Sequence, residues 1–164
     1  MLSTHIFIMI LSSSSIQAAV QEGKLGISPF DVNNLKSASY TFTLSPKLLI
    51  PKKADLITVG SGCEHKEIVM GPDGYILRPG EFVLGFTAER LSLKNKYACF
   101  LGARGSCAQA GLSVLLGSTF AEPDTDNAII LEIHNAAGSP VKLEAGMKIV
   151  KGVFMEAGDR FTLL

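Results

Sequence analysis

Tyr75-Ile76-Leu77-Arg78-Pro79-Gly80-Glu81-Phe82-Val83-Leu84-Gly85-Phe86 points to a β-rich fold. A short apolar run meets an Arg-Pro-Gly-Glu turn and gives way to a second apolar run, the pattern of two strands joined by a tight reversal. On both sides of this stretch the same motif recurs. Ser39-Tyr40-Thr41-Phe42-Thr43-Leu44 alternates polar and apolar residues as a half-buried strand does, and Pro46 and Pro51 punctuate the residues after it. Gly60-Ser61-Gly62 and Gly71-Pro72-Asp73-Gly74 are turn clusters. Tyr97-Ala98-Cys99-Phe100-Leu101 and Ile129-Ile130-Leu131-Glu132-Ile133 read as further strands. Met147-Lys148-Ile149-Val150 is the last, after a turn at Glu144-Ala145-Gly146. Many short strands with Gly and Pro turns predict a mainly β chain folded as a distorted barrel or jelly-roll-like sandwich.

One helix is expected ahead of these strands. Ser12 caps a segment from Ser13 to Glu22 that places Ile16, Ala19 and Val20 on one face, and Gly23 supplies a left-handed stop. The preceding run His5-Ile6-Phe7-Ile8-Met9-Ile10-Leu11 is apolar, yet no Lys or Arg precedes it and it is far too short to span a bilayer. The expected organisation is an extension over residues 1–8, with Met9 as the natural start, and a single domain over residues 9–164.

Composition narrows the function classes. Of 164 residues, 47% are hydrophobic and 18% charged, which argues for a packed core and against disorder. Fifteen basic residues balance fifteen acidic ones, so the molecule has no overall pull on nucleic acid or an anionic membrane, and direct nucleic-acid binding is not expected. Cys63, Cys99 and Cys107 are an odd set without paired short spacings, which fits a reducing, cytoplasmic location. Cys99 and Cys107 sit in apolar surroundings and read as small core residues.

Several segments taken in order carry a family resemblance. Ile10-Leu11-Ser12, Ile16, Glu22-Gly23-Lys24-Leu25-Gly26-Ile27 and Pro29-Phe30 form the opening. Leu35-Lys36-Ser37-Ala38-Ser39-Tyr40, Leu77-Arg78-Pro79-Gly80-Glu81-Phe82 and Gly102-Ala103-Arg104-Gly105-Ser106 come next. Glu122-Pro123, Leu131-Glu132-Ile133-His134-Asn135, Pro140 and Gly146-Met147-Lys148-Ile149 close the series. From about Ile10 to Phe154 the chain resembles the dCTP deaminases, which share a fold with trimeric dUTPases. The resemblance implies a dUTPase-type fold, a homotrimer with sites between subunits, and a deoxynucleotide triphosphate ligand, dCTP or dUTP.

Replacing a pyrimidine amine by water needs an activated water and a proton carrier. Zinc deaminases use His-x-Glu followed by Pro-Cys-x-x-Cys. His65-Lys66-Glu67 imitates the first half, but the sequence has no Cys-x-x-Cys, so no zinc site is expected. The resemblance instead implies zinc-independent hydrolytic deamination with Glu132 as catalytic base and proton shuttle. From pattern alone, a strand glutamate facing solvent is the competing reading of Glu132. Arg104 matches a phosphate ligand, since a guanidinium grips phosphate oxygens through two parallel bonds. Ser106 and Gly105 lie beside it in the position of an Arg-Ser-Ser phosphate loop, and an ordinary surface glycine turn remains the alternative. Glu122 falls where the family has the aspartate of an Asp-Pro pair, a contact to the deoxyribose, but with one more methylene. A displaced group in a preorganised site costs on the order of a hundredfold in rate. His134 reads as a packing or interface residue. Mg²⁺ is expected to arrive with the triphosphate, held mainly by its oxygens.

The departures from the family pattern are concentrated at functional positions. Gly105 and Gln109 stand where deaminases carry a serine and an arginine, so both belong to the candidate substrate-binding set in altered form. Thr41 replaces an aspartate. Asp124 and Asp126 stand near the expected nucleotide path, where like charge repels a triphosphate. The ending Phe161-Thr162-Leu163-Leu164 lacks the aromatic, Lys and Gln arm that closes over the phosphates in the family. Three functions therefore stand in order: dCTP deamination to dUTP, in impaired form; a non-catalytic trimeric nucleotide-binding or regulatory homologue; and a dUTP diphosphatase.

Overall fold

A computed structural model describes residues 9–60 and 62–157, so the extension over residues 1–8 and the ending at 161–164 lie outside the described residues. Helix α1 spans Ser13–Gln21. The strands are β1 (Gly26–Ser28), β2 (Leu35–Lys36), β3 (Ser39–Pro51), β4 (His65–Val69), β5 (Tyr75–Leu77), β6 (Phe82–Ser92) and β7 (Tyr97–Ala103). A second, one-turn helix α2 covers Gly105–Gln109. Then come β8 (Leu112–Ser113), β9 (Phe120–Ala121), β10 (Asp126–Asn135), β11 (Val141–Leu143) and β12 (Lys148–Glu156).

The helix forms as its ends dictate. Ser12 accepts a hydrogen bond from the Ser15 backbone nitrogen at 3.2 Å, and Gly23 takes a φ of 68°. Ile16 and Ala19 are its buried face.

One sheet runs β8-β10-β6-β3-β12-β7-β9, with β1 added to β6 and β2 and β4 added to β3; β5 and β11 pair separately. Its two outer members, β8 and β9, are neighbours in sequence, with residues 114–119 between them. The sheet curls into a half-barrel, and this connection bridges its two outer strands as a seam. Side chains of Tyr40, Phe42, Leu44, Leu131, Ile133 and Phe154 fill the interior. Packing is tight enough that a Cβ at Gly152 would lie 2.7 Å from Cys99 Sγ and 2.9 Å from Phe42 Cε2. The mainly β, barrel-like architecture with one short N-terminal helix agrees with the sequence expectation.

The Arg-Pro-Gly-Glu turn is closed twice over. Glu81 donates its backbone N–H to the Arg78 carbonyl at 3.0 Å, while its carboxylate accepts from the Arg78 nitrogen at 2.8 Å. Gly80 adopts a φ of 75° there.

Two local readings differ. β3 does not stop before Pro46 but continues to Pro51, with its register against β6 shifting between Leu44 and Leu48. The irregularity accommodates a residue that has no N–H to give the ladder. The segment after Arg104 is a helical turn rather than an open glycine loop, with Cys107 and Ala108 donating back to the Arg104 carbonyl.

Candidate active site

Glu132 projects from the middle of β10, between the fully buried Leu131 and Ile133. Alternation along the strand sends those neighbours into the core and leaves Glu132 half-buried on the opposite face. The seam connection crosses that face. Glu132 Oε2 accepts backbone N–H groups from Leu116 at 2.8 Å, Gly117 at 2.9 Å and Ser118 at 3.5 Å. Oε1 has no hydrogen-bond partner among the described residues. One oxygen is thus fixed by the backbone while the other is left to accept from something else.

A cavity of about 270 Å³ opens beside this carboxylate, lined among others by Ser118, Phe120, Thr125, Asn127, Ile130 and Glu132. Glu132 therefore does not simply face bulk solvent. A second depression, about 420 Å³, lies under the loop after β3 and is lined by Lys52, Lys53, Leu56, Ile57, Cys63 and Glu64. It contains none of the candidate catalytic or substrate-binding residues.

The remaining candidates are elsewhere on the single chain. Arg104 caps α2; its backbone N–H donates to Ile149 at 3.1 Å, and its Nη1 to the Lys148 carbonyl at 3.4 Å. Ser106 and Gln109 are exposed on α2, and Gly105 has open space where a side chain would stand. Glu122 is exposed in the turn closed by Thr125 N–H on the Glu122 carbonyl at 2.9 Å. None of Arg104, Gly105, Ser106, Gln109 or Glu122 lines the Glu132 cavity. Thr41 is buried. Asp126 is bound to Arg90 through two contacts of 3.0 and 3.1 Å, and its hydrogen bond to Arg90 holds its carboxyl below the ordinary value. Its charge is thus engaged by a neighbouring cation.

Two further polar groups carry no functional signal in the sequence. Glu89 is 3% exposed on β6 and accepts both the backbone N–H and the hydroxyl of Thr43 at 2.9 Å. Asn135 is fully buried: its Nδ2 donates to the Leu77 and Ser139 carbonyls, and its Oδ1 accepts from Ala137, each at 2.9 Å. Both tie distant strands together rather than open on a cavity. Tyr75 donates to Glu81, and burial followed by that carboxylate pushes its phenol up to about 12. Burial also raises the Cys99 and Cys107 thiols, in keeping with their role as core residues. Among the described residues there is no group of three His, Cys, Asp or Glu that could hold a metal ion, and no helix long and apolar enough to cross a membrane.

A family model described as dCTP deaminase-like matches residues 10–157. The dUMP-forming dCTP deaminase of Hydrogenobaculum sp. (strain Y04AAS1) is 30% identical over 151 residues, covering 92% of this chain and 84% of that protein. The protein of the same name from Rhodococcus erythropolis (strain PR4 / NBRC 100887) is 33% identical over 146 residues, with 86% and 77% covered. Among solved structures, the 2'-deoxycytidine 5'-triphosphate deaminase from Agrobacterium tumefaciens matches with a TM-score of 0.74 at 17% identity. The match covers 92% of this chain and 48% of that one, so the chain spans about half its length; at this identity the likeness concerns the fold. On the span of the family match and the identity to these relatives, the chain belongs to the dCTP deaminase-like family.

Proposed function

We propose that this protein hydrolytically deaminates dCTP, with Glu132 taking a proton from water and passing it to the departing amine. The observation that carries this reading is the Glu132 carboxylate at the cavity wall, one oxygen held by backbone N–H groups and the other unpartnered among the described residues. Water adds at the ring C4, the C4–N bond breaks, and ammonia and dUTP leave. The relatives' names specify dUMP as product. That product requires a second water to cleave between the α and β phosphates, releasing pyrophosphate. Chromatography of a dCTP reaction separates the outcomes: dUTP means deamination alone, and dUMP with pyrophosphate means both hydrolyses. Unchanged dCTP overturns the proposal.

The phosphate end is assigned to Arg104 and Ser106, with Glu122 contacting the sugar. Because these side chains do not line the Glu132 cavity of one chain, the proposal includes a homotrimer in which a second copy completes the site. Exposed apolar residues support an assembly: Leu116 is 59%, Ile130 53% and Phe100 51% exposed. Light scattering of the purified protein checks the stoichiometry. Mg²⁺ enters on the triphosphate's own oxygens, and a cytoplasmic location belongs to the same reading.

Gly105 and Gln109 favour a second reading, a nucleotide-binding or regulatory homologue without catalysis, since neither supplies a hydroxyl or a positive charge on α2. Thermal unfolding separates it from a loss of binding altogether. A nucleotide at a hundred times its dissociation constant adds roughly 2.7 kcal/mol. Stabilisation by dCTP without turnover establishes this second reading in place of the first. Pyrophosphate release from dUTP without action on dCTP would instead identify a diphosphatase.

A further inference from the structure

The Glu132 cavity has a one-sided chemistry. Its lining includes a single charged group, the Glu132 carboxylate, and no lysine, arginine or histidine. A triphosphate brought against that acid meets like charge, so the neutral end of a nucleotide is the end that fits. Size points the same way. At about 270 Å³ the cavity is below the roughly 300–1,000 Å³ of pockets that enclose a whole drug-sized ligand.

One wall is aromatic. Phe120 lines the cavity and is 39% exposed. It stands directly opposite Phe100 in the antiparallel register of β7 and β9, with ring centroids 5.0 Å apart and planes inclined by 60°. Neighbouring rings across a strand pair restrict each other's orientation. A flat ring laid against Phe120 removes its exposed surface from solvent and adds an offset-stacked contact. The same lining offers Asn127, whose side-chain amide carries both donors and an acceptor and makes no hydrogen bond to a described residue.

We infer that Phe120, oriented by Phe100, is the stacking platform for the pyrimidine ring, and that Asn127 reads the polar edge of that ring. The inference rests on the proposed function and assigns its ring specificity to two residues of one chain, apart from the phosphate grip. It implies that 2'-deoxycytidine, without any phosphate, binds on its own.

Calorimetric titration of the intact protein with dCTP, dUTP, 2'-deoxycytidine and inorganic tripolyphosphate tests this. Phe120→Ala is expected to weaken dCTP and 2'-deoxycytidine by about tenfold or more, the range of base–aromatic stacking on alanine substitution, and to leave tripolyphosphate unchanged. Phe120→Tyr restores nucleoside binding, whereas Phe120→Leu, which keeps apolar bulk without a π face, does so only in part. Asn127→Ala shifts the ratio of dCTP to dUTP affinity. Equal weakening of all probes by Phe120→Ala marks a merely structural residue and overturns the inference. So does wild-type affinity for dCTP in that variant, with the proposed function left standing. An unchanged dCTP to dUTP ratio in Asn127→Ala removes Asn127 from the assignment. Failure of the wild-type protein to bind either dCTP or 2'-deoxycytidine overturns the proposed function and this inference together.

Discussion

Glu132 Oε2 lies 2.9 Å from the backbone nitrogen of Gly117, a residue fifteen positions earlier in the chain. The bond crosses from the seam connection onto β10 and orients the carboxylate independently of any neighbouring side chain. The carboxylate's geometry thus depends on the fold that brings the seam onto β10, and its second oxygen is left without a partner among the described residues.

Glu132→Gln keeps a carbonyl oxygen for those N–H groups and removes the proton carrier. Ammonia release from dCTP is expected to fall by about 10²–10⁴, the usual contribution of a positioned acid–base group, with little change in the melting midpoint. A coupled ammonia assay alongside circular dichroism measures both. Undiminished release dismisses Glu132 as the shuttle.

Arg104→Gln tests the other end of the ligand. Hydrogen bonds to a charged group contribute about 1.5–3 kcal/mol, so dCTP affinity is expected to drop roughly 10- to 150-fold. Affinity for 2'-deoxycytidine stays the same, and the dependence of dCTP binding on salt becomes shallower. Titrations at two ionic strengths read this; equal losses for nucleoside and nucleotide place Arg104 outside the phosphate site.

Gly152→Ala puts a methyl group 2.7 Å from Cys99 Sγ and 2.9 Å from Phe42 Cε2. Both neighbours are fully buried. Such overpacking costs about 1–3 kcal/mol, visible as a lower urea midpoint. A midpoint equal to that of the wild type shows the core to be looser than its packing indicates.

Asn135→Ala leaves the Leu77 and Ser139 carbonyls and the Ala137 N–H without their partner. Only the bond to the Leu77 carbonyl is fully buried, and an abandoned buried group costs about 1–3 kcal/mol, so the loss exceeds that of a simple truncation. Asn135→Asp keeps the acceptor for Ala137 but supplies no donor to either carbonyl in its ionised form, and it too is expected to destabilise. Chemical denaturation of the two variants decides the matter.

Alkali titration reports on Tyr75, whose phenol is raised from an ordinary value of 10 to about 12. A raised folded-state value means the neutral phenol is favoured by folding. That contribution is whole below pH 10 and disappears as the pH climbs from 10 through 12. Tyr75→Phe is expected to abolish this part of the alkaline loss of stability and to diminish the late phenolate absorbance, to which Tyr40, also raised by burial, still contributes. A late absorbance step of undiminished amplitude in the variant shows that Tyr75 does not titrate late.

Much of the architecture is legible because it is written locally. Ser12 and Gly23 mark the ends of α1 through one side-chain oxygen and one left-handed residue, and Gly80 and Glu81 mark the Arg-Pro-Gly-Glu turn in the same way. β8 and β9 leave no trace, since a two-residue strand is too short to show alternation and exists only because β10 and β7 are there to pair with. α2 resembles an open loop in sequence for a related reason: Gly105 disfavours helix locally, and one turn forms where Arg104 is anchored to Ile149.

Residues read one after another suffice for a mainly β chain, its principal strands and turns, and a glutamate at 132 set between core residues, because alternation and turn chemistry act over a few neighbouring positions. Only the folded barrel brings Gly117 onto that glutamate, sets Phe120 against Phe100, and keeps Arg104 outside the cavity. Those relationships arise from pairing between strands far apart in the chain, and pairing partners are chosen by closure of the whole sheet rather than by any residue's neighbours.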